Sequence, residues 1–121
     1  MKDKIRYGLI GCGSMGREHI LNLHAMGGAE VTAIADPSET SRNDAQTLVD
    51  SWRPRLFEQH GDLLSSGLCD ALIIASPNHT HAAVMKDALA TELPILVEKP
   101  LVTNIADGRD LLRRSQGRKA I

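Results

Sequence analysis

Short aliphatic runs alternate with amphipathic stretches along this chain, and the alternation predicts a strand and a helix in turn. Continuous apolar runs are typical of strands covered on both faces of a parallel sheet, whereas apolar residues three or four positions apart are typical of helices. The runs predict strands over residues 5–10, 31–35, 55–57, 71–75 and 95–97. The amphipathic stretches predict helices over residues 15–26, 38–49 with Ser38 as N-cap, 62–66, 79–90 and 104–115.

Alternating strands and helices favour parallel strands joined by right-handed crossovers. We therefore expect an α/β fold with a Rossmann-type doubly wound parallel sheet, in a chain whose length fits one domain. Residues 117–121 fall where a sixth strand would begin. The sheet is thus expected to be truncated near the start of its sixth strand.

A glycine motif follows the first predicted strand and opens the first predicted helix. Its residues, Gly11, Cys12, Gly13, Ser14, Met15 and Gly16, fit the pattern GxGxxG. The first glycine permits a tight turn, the second lets backbone approach a pyrophosphate, and the third lets the helix lie against the sheet. The N–H groups around Ser14 and Met15 would face the phosphates, helped by the positive end of the helix.

An acidic residue stands where such a loop needs one. Asp36 ends the second strand, 36 − 16 = 20 positions after Gly16, which matches the separation of about 20 for an acid that binds the adenosine ribose. A carboxylate there accepts both ribose hydroxyls and repels a 2′-phosphate, so NAD is favoured over NADP. Arg42 lies nearby and can offset that repulsion, which keeps NADP open. The alternative is a glycine turn with Asp36 capping the next helix.

The two cysteines, Cys12 and Cys69, lack CxxC spacing and suit a reducing cytoplasm better than a disulfide scaffold. Cys12 could be a reactive thiol, because a helix N-terminus lowers the pKa of a thiol. The simpler interpretation is a small side chain in the variable slot of the glycine motif.

Two further motifs follow later strands: ASPNHTH over residues 75–81 and EKPL over residues 98–101. Together with GCGSMG and a second strand ending in Asp36, they make the chain resemble the Gfo/Idh/MocA oxidoreductase family, the group of glucose–fructose oxidoreductase and inositol dehydrogenase. The resemblance covers essentially the whole chain. It implies that residues 1–121 are the N-terminal NAD(P)-binding domain of an enzyme whose C-terminal substrate domain is absent from this chain.

The resemblance also implies roles for matching positions. The residues expected to line the cofactor groove are Ala75, Ser76, Pro77 and Asn78, with Asn78 near the nicotinamide-side ribose and His81 close by in the first turn of the next helix. Those expected at the nicotinamide end are Glu98 at the ribose, Lys99 at the nicotinamide and substrate carbon, and Pro100, which would fix the turn that aims Lys99.

The chemistry of hydride transfer also supports a catalytic role for Lys99. Hydride transfer from an alcohol leaves an oxygen whose proton must be removed or whose charge must be stabilised, and a lysine at a partly desolvated strand end can do either. Glu98 could tune or neutralise it. From the residues alone, a Glu-Lys pair in a surface turn is the simpler interpretation; with the resemblance, Lys99 becomes the predicted catalytic residue.

Composition argues against several other classes of protein. A net charge of −1 and 2% aromatic residues offer little to a nucleic acid, and no apolar run approaches the roughly 18 residues of a membrane span. The histidines lack zinc-site spacing, so no metal is expected. His19, on the first helix, is expected to pack or support the site rather than to catalyse.

We therefore expect a cytoplasmic domain that binds NAD, less favourably NADP, for hydride transfer with a sugar, cyclitol or related polyol. Alone it should show negligible turnover, because nothing covers the substrate. A non-catalytic NAD-binding regulator or scaffold is the alternative. Surface exposed by a missing partner domain could also favour a homo-oligomer or aggregation.

Overall fold

The structure is a computed structural model that describes residues 3–119. The strands are β1 (Ile5–Ile10), β2 (Ala29–Ala35), β3 (Arg55–Phe57), β4 (Ala71–Ile74) and β5 (Ile95–Val97). The α-helices are α1 (Ser14–Met26), α2 (Glu39–Leu48), α3 (His60–Leu64), α4 (His81–Leu89) and α5 (Ile105–Ser115), and 3₁₀ helices cover Asp50–Trp52 and Asn78–Thr80.

The strands form one parallel sheet in the order β3-β2-β1-β4-β5, which confirms the predicted Rossmann-type fold. Residues 117–119 form no strand, and the rest of the predicted sixth strand, residues 120 and 121, lies outside the described residues. Within residues 3–119, no helix is long and apolar enough to cross a membrane.

Element boundaries depart from the sequence prediction by two residues at the starts of α3, α4 and β2, and β2 begins at Ala29 rather than at residue 31. The helix expected from residue 79 begins at His81, because Thr80 turns back onto the carbonyl of Pro77 with both its N–H and its hydroxyl, at 2.8 and 2.6 Å. The short helix expected at residues 62–66 begins earlier, at His60. Ser38 caps α2 as predicted, since its hydroxyl oxygen accepts the N–H of Ser41.

The core lies on both faces of the sheet. Side chains alternate along a strand, so Leu9 and Ile73 enter one apolar cluster together with Ile20 of α1. Their neighbours Ile10 and Ile74 enter the other cluster, beneath α4 and α5. With few aromatic residues available, this core is almost entirely aliphatic, and helices on both faces hold β1 and β4 at the centre.

The direction of the chain across the sheet reverses between β1 and β4, and the carboxyl ends of the strands share one edge. Backbone hydrogen bonds of 2.8–3.0 Å continue the ladder one residue past the strands, through the N–H groups of Gly11, Asp36, Ala75 and Glu98. Ligands of doubly wound sheets bind in the crevice at such a reversal. The fold therefore brings the sequence-predicted motifs to one edge.

Candidate functional site at the carboxyl edge of the sheet

Gly11 holds the loop after β1 against the loop after β4. Its φ is 88°, a left-handed conformation that residues with a Cβ rarely adopt. A Cβ at this position would lie 2.3 Å from the backbone nitrogen of Ser76. The first glycine of the motif therefore serves both the turn and the close approach of two loops.

Gly16 and Gly13 are glycines for different reasons. A Cβ on Gly16 would lie 2.2 Å from the carbonyl oxygen of Gly11, so α1 rests directly on the loop. A Cβ on Gly13 would meet nothing within 4 Å, and its φ of −72° is available to other residues. Neither folding nor packing within the described chain requires a glycine at position 13, and the open space there is available to a ligand.

The N-terminus of α1 carries no cap from a side chain. Gly13 is the N-cap residue, and the first turn holds no acidic residue. By contrast, Ser38 caps α2 and Asn104 caps α5 with side-chain oxygens. The first N–H groups of α1 and the positive end of its dipole are thus available to an anion.

Asp36 is fixed by the glycine loop and by the start of α2. One carboxylate oxygen accepts the N–H of Cys12 at 3.0 Å, and the other accepts the N–H of Ser38 at 2.8 Å. Each oxygen retains acceptor capacity for a hydroxyl. Because Ser38 rather than Asp36 caps α2, the alternative of Asp36 as a simple helix cap is not what the structure shows. Arg42 donates to the backbone carbonyl of Asp36 at 2.6 Å.

The surroundings of Cys12 argue against a reactive thiol. Its side chain is fully buried, and burial together with the Asp36 carboxylate raises its pKa to about 12. Desolvation thus outweighs the helix N-terminus that could have lowered the pKa. Cys12 fills the variable slot of the motif, as the simpler interpretation has it.

A cavity of about 350 Å³ opens between the ends of β1, β2 and β4. Its lining is mostly apolar and includes Gly11, Asp36 and Ser76. Sequence reasoning missed several other lining residues, which are Pro37, Glu58, Gln59, His60, His79, Thr80, Ala83 and Val84. Pro37 could have been found as the neighbour of Asp36, and His79 and Thr80 lie within the ASPNHTH motif. The others depend on where the fold places β3 and α4.

The loop after β4 presents the start of the ASPNHTH motif at the same edge. The hydroxyl of Ser76 lies 2.7 Å from that of Thr80 and donates to it, because the single Thr80 hydroxyl proton is used on the carbonyl of Pro77. This bond ties the loop to the following 3₁₀ turn. Ser76 is half-buried, and Pro77 and Asn78 are exposed. These residues face outward beside Gly11, so they are accessible to a ligand in the groove.

His81 lies beneath the groove rather than in it. Its side chain is 0% exposed, and its ring nitrogens lie 2.7 Å from the carbonyl oxygen of Pro100 and 2.8 Å from that of Ser76. It lies in the first turn of α4, as expected, although α4 begins at His81 itself rather than at residue 79. A buried ring cannot touch a ligand, so any part of His81 in cofactor binding runs through the two loops that it joins.

The EKP motif follows β5, and its charged residues do not interact as expected. The Glu98 carboxylate accepts Nε2–H of His19 at 2.7 Å, so its partner is α1 and not Lys99. Lys99 is exposed. The Lys99–Pro100 peptide bond is cis. His19, expected only to pack or support, lies one helical turn after Gly16, and that spacing was the available signal.

Comparison with known proteins matches residues 5–121 to the family model described as an oxidoreductase family, NAD-binding Rossmann fold (GFO_IDH_MocA). Inositol 2-dehydrogenase from Rubrobacter xylanophilus is 38% identical over 113 residues, which is 93% of this chain and 30% of that protein. The chain spans about a third of the length of the curated relatives it matches.

Solved structures give the same result. Myo-inositol dehydrogenase from Lactobacillus casei, in complex with NAD(H) and myo-inositol, matches with a TM-score of 0.85 and 28% identity over 96% of this chain and 34% of that one. The WlbA dehydrogenase from Bordetella pertussis, in complex with NADH and UDP-GlcNAcA, matches with a TM-score of 0.83 and 29% identity over 92% and 34%. The chain therefore belongs to the Gfo/Idh/MocA oxidoreductase family, as an NAD-binding domain with a Rossmann fold.

Proposed function

We propose that this domain binds NAD across the carboxyl edge of its sheet, and that with a substrate domain it transfers hydride between NAD and a hydroxyl carbon of a polyol. In this proposal the diphosphate lies at the open space beside Gly13, before the uncapped start of α1. Asp36 accepts the hydroxyls of the adenosine ribose, and the adenosine occupies the apolar cavity beside it.

The observation that carries the proposal is the space at Gly13. The other glycines of the motif are required by the protein itself, because a Cβ on Gly11 or Gly16 would overlap backbone atoms. At Gly13 a Cβ would meet nothing. In a GxGxxG loop at the uncapped start of a helix, a glycine that neither conformation nor packing requires supports a ligand that approaches the backbone closely.

The nicotinamide half would extend along the second pair of loops. Ala75, Ser76, Pro77 and Asn78 would line its path, Glu98 would contact its ribose, and Pro100 would help to aim Lys99. His81 would act indirectly, since it joins the carbonyl oxygens of Ser76 and Pro100.

The bound nicotinamide supplies the chemistry of accepting or returning a hydride. The part proposed for this chain is orientation and proton handling: Lys99 would take the proton of the substrate hydroxyl or stabilise the charge on its oxygen. Because Lys99 is exposed on this domain, the desolvation that favours such a step would come from a second domain lying over the edge.

The proposed substrate is a sugar, cyclitol or related polyol. The relatives support this choice, since one is an inositol 2-dehydrogenase and another structure holds myo-inositol. We further propose that the domain works in the cytoplasm, in keeping with two buried free cysteines. We also propose that a separate substrate domain completes the site and that the protein forms a homo-oligomer.

Calorimetric titration with NAD and NADP tests the proposal. NAD should bind about tenfold or more tightly than NADP, because Asp36 repels a 2′-phosphate. The variant Asp36→Asn keeps an oxygen for a backbone donor but removes the charge. It should therefore reduce the difference between the affinities for NAD and NADP. If neither coenzyme bound at millimolar concentration to the folded chain, the proposal would fail.

A further inference from the structure

We infer that His19 is a positioning residue that holds the Glu98 carboxylate at the nicotinamide end of the groove, and so couples the diphosphate loop to the EKP motif. The inference rests on the proposed function, because it assigns a task to a residue within that site. It adds a residue that neither the glycine pattern nor the EKP pattern contains.

The contact joins two elements that are far apart in the sequence. His19 lies in α1, on the turn that follows Gly16, and Glu98 is the first residue after β5. Nε2 of His19 lies 2.7 Å from Oε1 of Glu98, which is short for a hydrogen bond between N–H and a carboxylate. The side chains of the two residues are only 21% and 22% exposed, so water screens this pair less than a surface ion pair.

The consequence for Glu98 is a fixed direction. A glutamate side chain at the end of a three-residue strand has several rotamers, and one strong partner selects among them. The same bond occupies one carboxylate oxygen and leaves the other as an acceptor. It also draws the carboxylate toward α1, away from Lys99, which has no ion-pair partner within residues 3–119.

The rival explanation is a tether that merely fastens α1 to the sheet. Loss of a tether would weaken the binding of NADH and ADP equally, because a shift of α1 moves the diphosphate loop, which both ligands contact. A positioning residue affects only the ligand part that Glu98 contacts. The comparison of NADH with ADP separates the two, since ADP contains the adenosine and diphosphate but lacks the nicotinamide and its ribose.

The experiment titrates NADH and ADP, by fluorescence and calorimetry, into the wild-type chain and the variants His19→Ala, His19→Gln, Glu98→Ala and the His19→Ala/Glu98→Ala double variant. Gln carries its amide nitrogen about as far out as Nε2 of histidine and restores the donor. His24→Ala is the matched control, because it removes an exposed imidazole from the same helix. Thermal unfolding of each variant establishes that it is folded.

We expect His19→Ala to weaken NADH binding about tenfold, the value of one hydrogen bond to a charged group, and ADP binding by less than about twofold. His19→Gln should recover most of the loss, and His19→Ala should have no further effect in the Glu98→Ala background. Equal losses for both ligands, or no loss, would overturn the inference while leaving the coenzyme site intact. A wild-type chain that binds neither ligand would refute the proposed function itself, and the inference with it.

Discussion

A substitution of alanine at each glycine of the GxGxxG motif separates folding from binding. Gly11→Ala places a Cβ 2.3 Å from a backbone nitrogen at a φ of 88°. The left-handed conformation costs about 1–2 kcal/mol and overpacking about 1–3 kcal/mol more. Gly16→Ala, with a contact of 2.2 Å to a carbonyl oxygen, incurs the overpacking cost alone. Both variants should be clearly less stable than the wild type.

Gly13→Ala should behave in the opposite way. Its Cβ meets no protein atom, and its backbone conformation is ordinary. Replacing a glycine in a compatible conformation raises the free energy of unfolding by up to about 1 kcal/mol, but alanine is a poorer N-cap than glycine by a similar amount. The net change in stability should therefore be small. The added methyl group occupies the space proposed for the diphosphate. The loss of one charge-assisted hydrogen bond corresponds to about 10- to 100-fold weaker NAD binding.

The assays are thermal unfolding and calorimetric titration with NAD on the same samples. For a domain of this size, each kcal/mol of change in the free energy of unfolding should shift the melting temperature by about 3–6 °C. Gly61→Ala is the matched control, since Gly61 also has nothing within 4 Å and lies outside the motif. A Gly13→Ala variant that binds NAD as tightly as the wild type, or that unfolds like Gly11→Ala, would refute the reasoning.

Four further outcomes are expected. Cys12, with a pKa of about 12, should be protonated except for about one molecule in ten thousand at pH 8; mass spectrometry after iodoacetamide treatment should find it unlabelled in the folded chain, and ready labelling would contradict its burial. His81→Ala should lower the free energy of unfolding by about 3 kcal/mol, measured in urea, because a buried ring is removed and two carbonyls lose their partner. The hydrogen bonds from Arg6 lower the pKa of Asp70, so the pair stabilises the fold above the ordinary carboxyl pKa, and this stabilisation is lost as the pH falls through the lowered pKa. Asp70→Asn should therefore make the free energy of unfolding fall less steeply with decreasing pH. An unchanged pH dependence would argue against the pair. The chain alone, given NAD and myo-inositol or other polyols, should form negligible NADH in an absorbance assay, and brisk formation would contradict the need for a covering domain.

The strands and the glycine motif could be predicted because their signals are local. Apolar runs such as residues 71–75 have few other interpretations in a chain that alternates so regularly. The spacing from Gly16 to Asp36 is equally local, since one helix and one strand fix it. The structure confirmed the fold and placed the predicted motifs at one edge.

The contacts between motifs could not be predicted, because they depend on which loops meet. The spacing from Gly16 places His19 near the glycine loop, but it does not indicate that His19 reaches Glu98. Nothing in the sequence indicates that His81 lies beneath Ser76 and Pro100. The same limit applies to Lys99. Its position next to Glu98 in the sequence suggested that the two side chains interact, whereas in the structure the Glu98 carboxylate bonds to His19 of α1. Most of the missed cavity lining likewise comes from segments whose residue types are unremarkable.

The edge that gathers the ends of the strands has a consequence for the order of events during synthesis. The glycine turn emerges from the ribosome early, and Glu98 emerges later, after β5 has been made. In the proposed binding mode, a nascent chain can hold a complete coenzyme only once β5 has docked. Afterwards the coenzyme, spanning loops from several strands, would oppose their separation by about 2.7 kcal/mol at a hundredfold excess over its dissociation constant, so that a loaded domain should resist proteolysis better than an empty one.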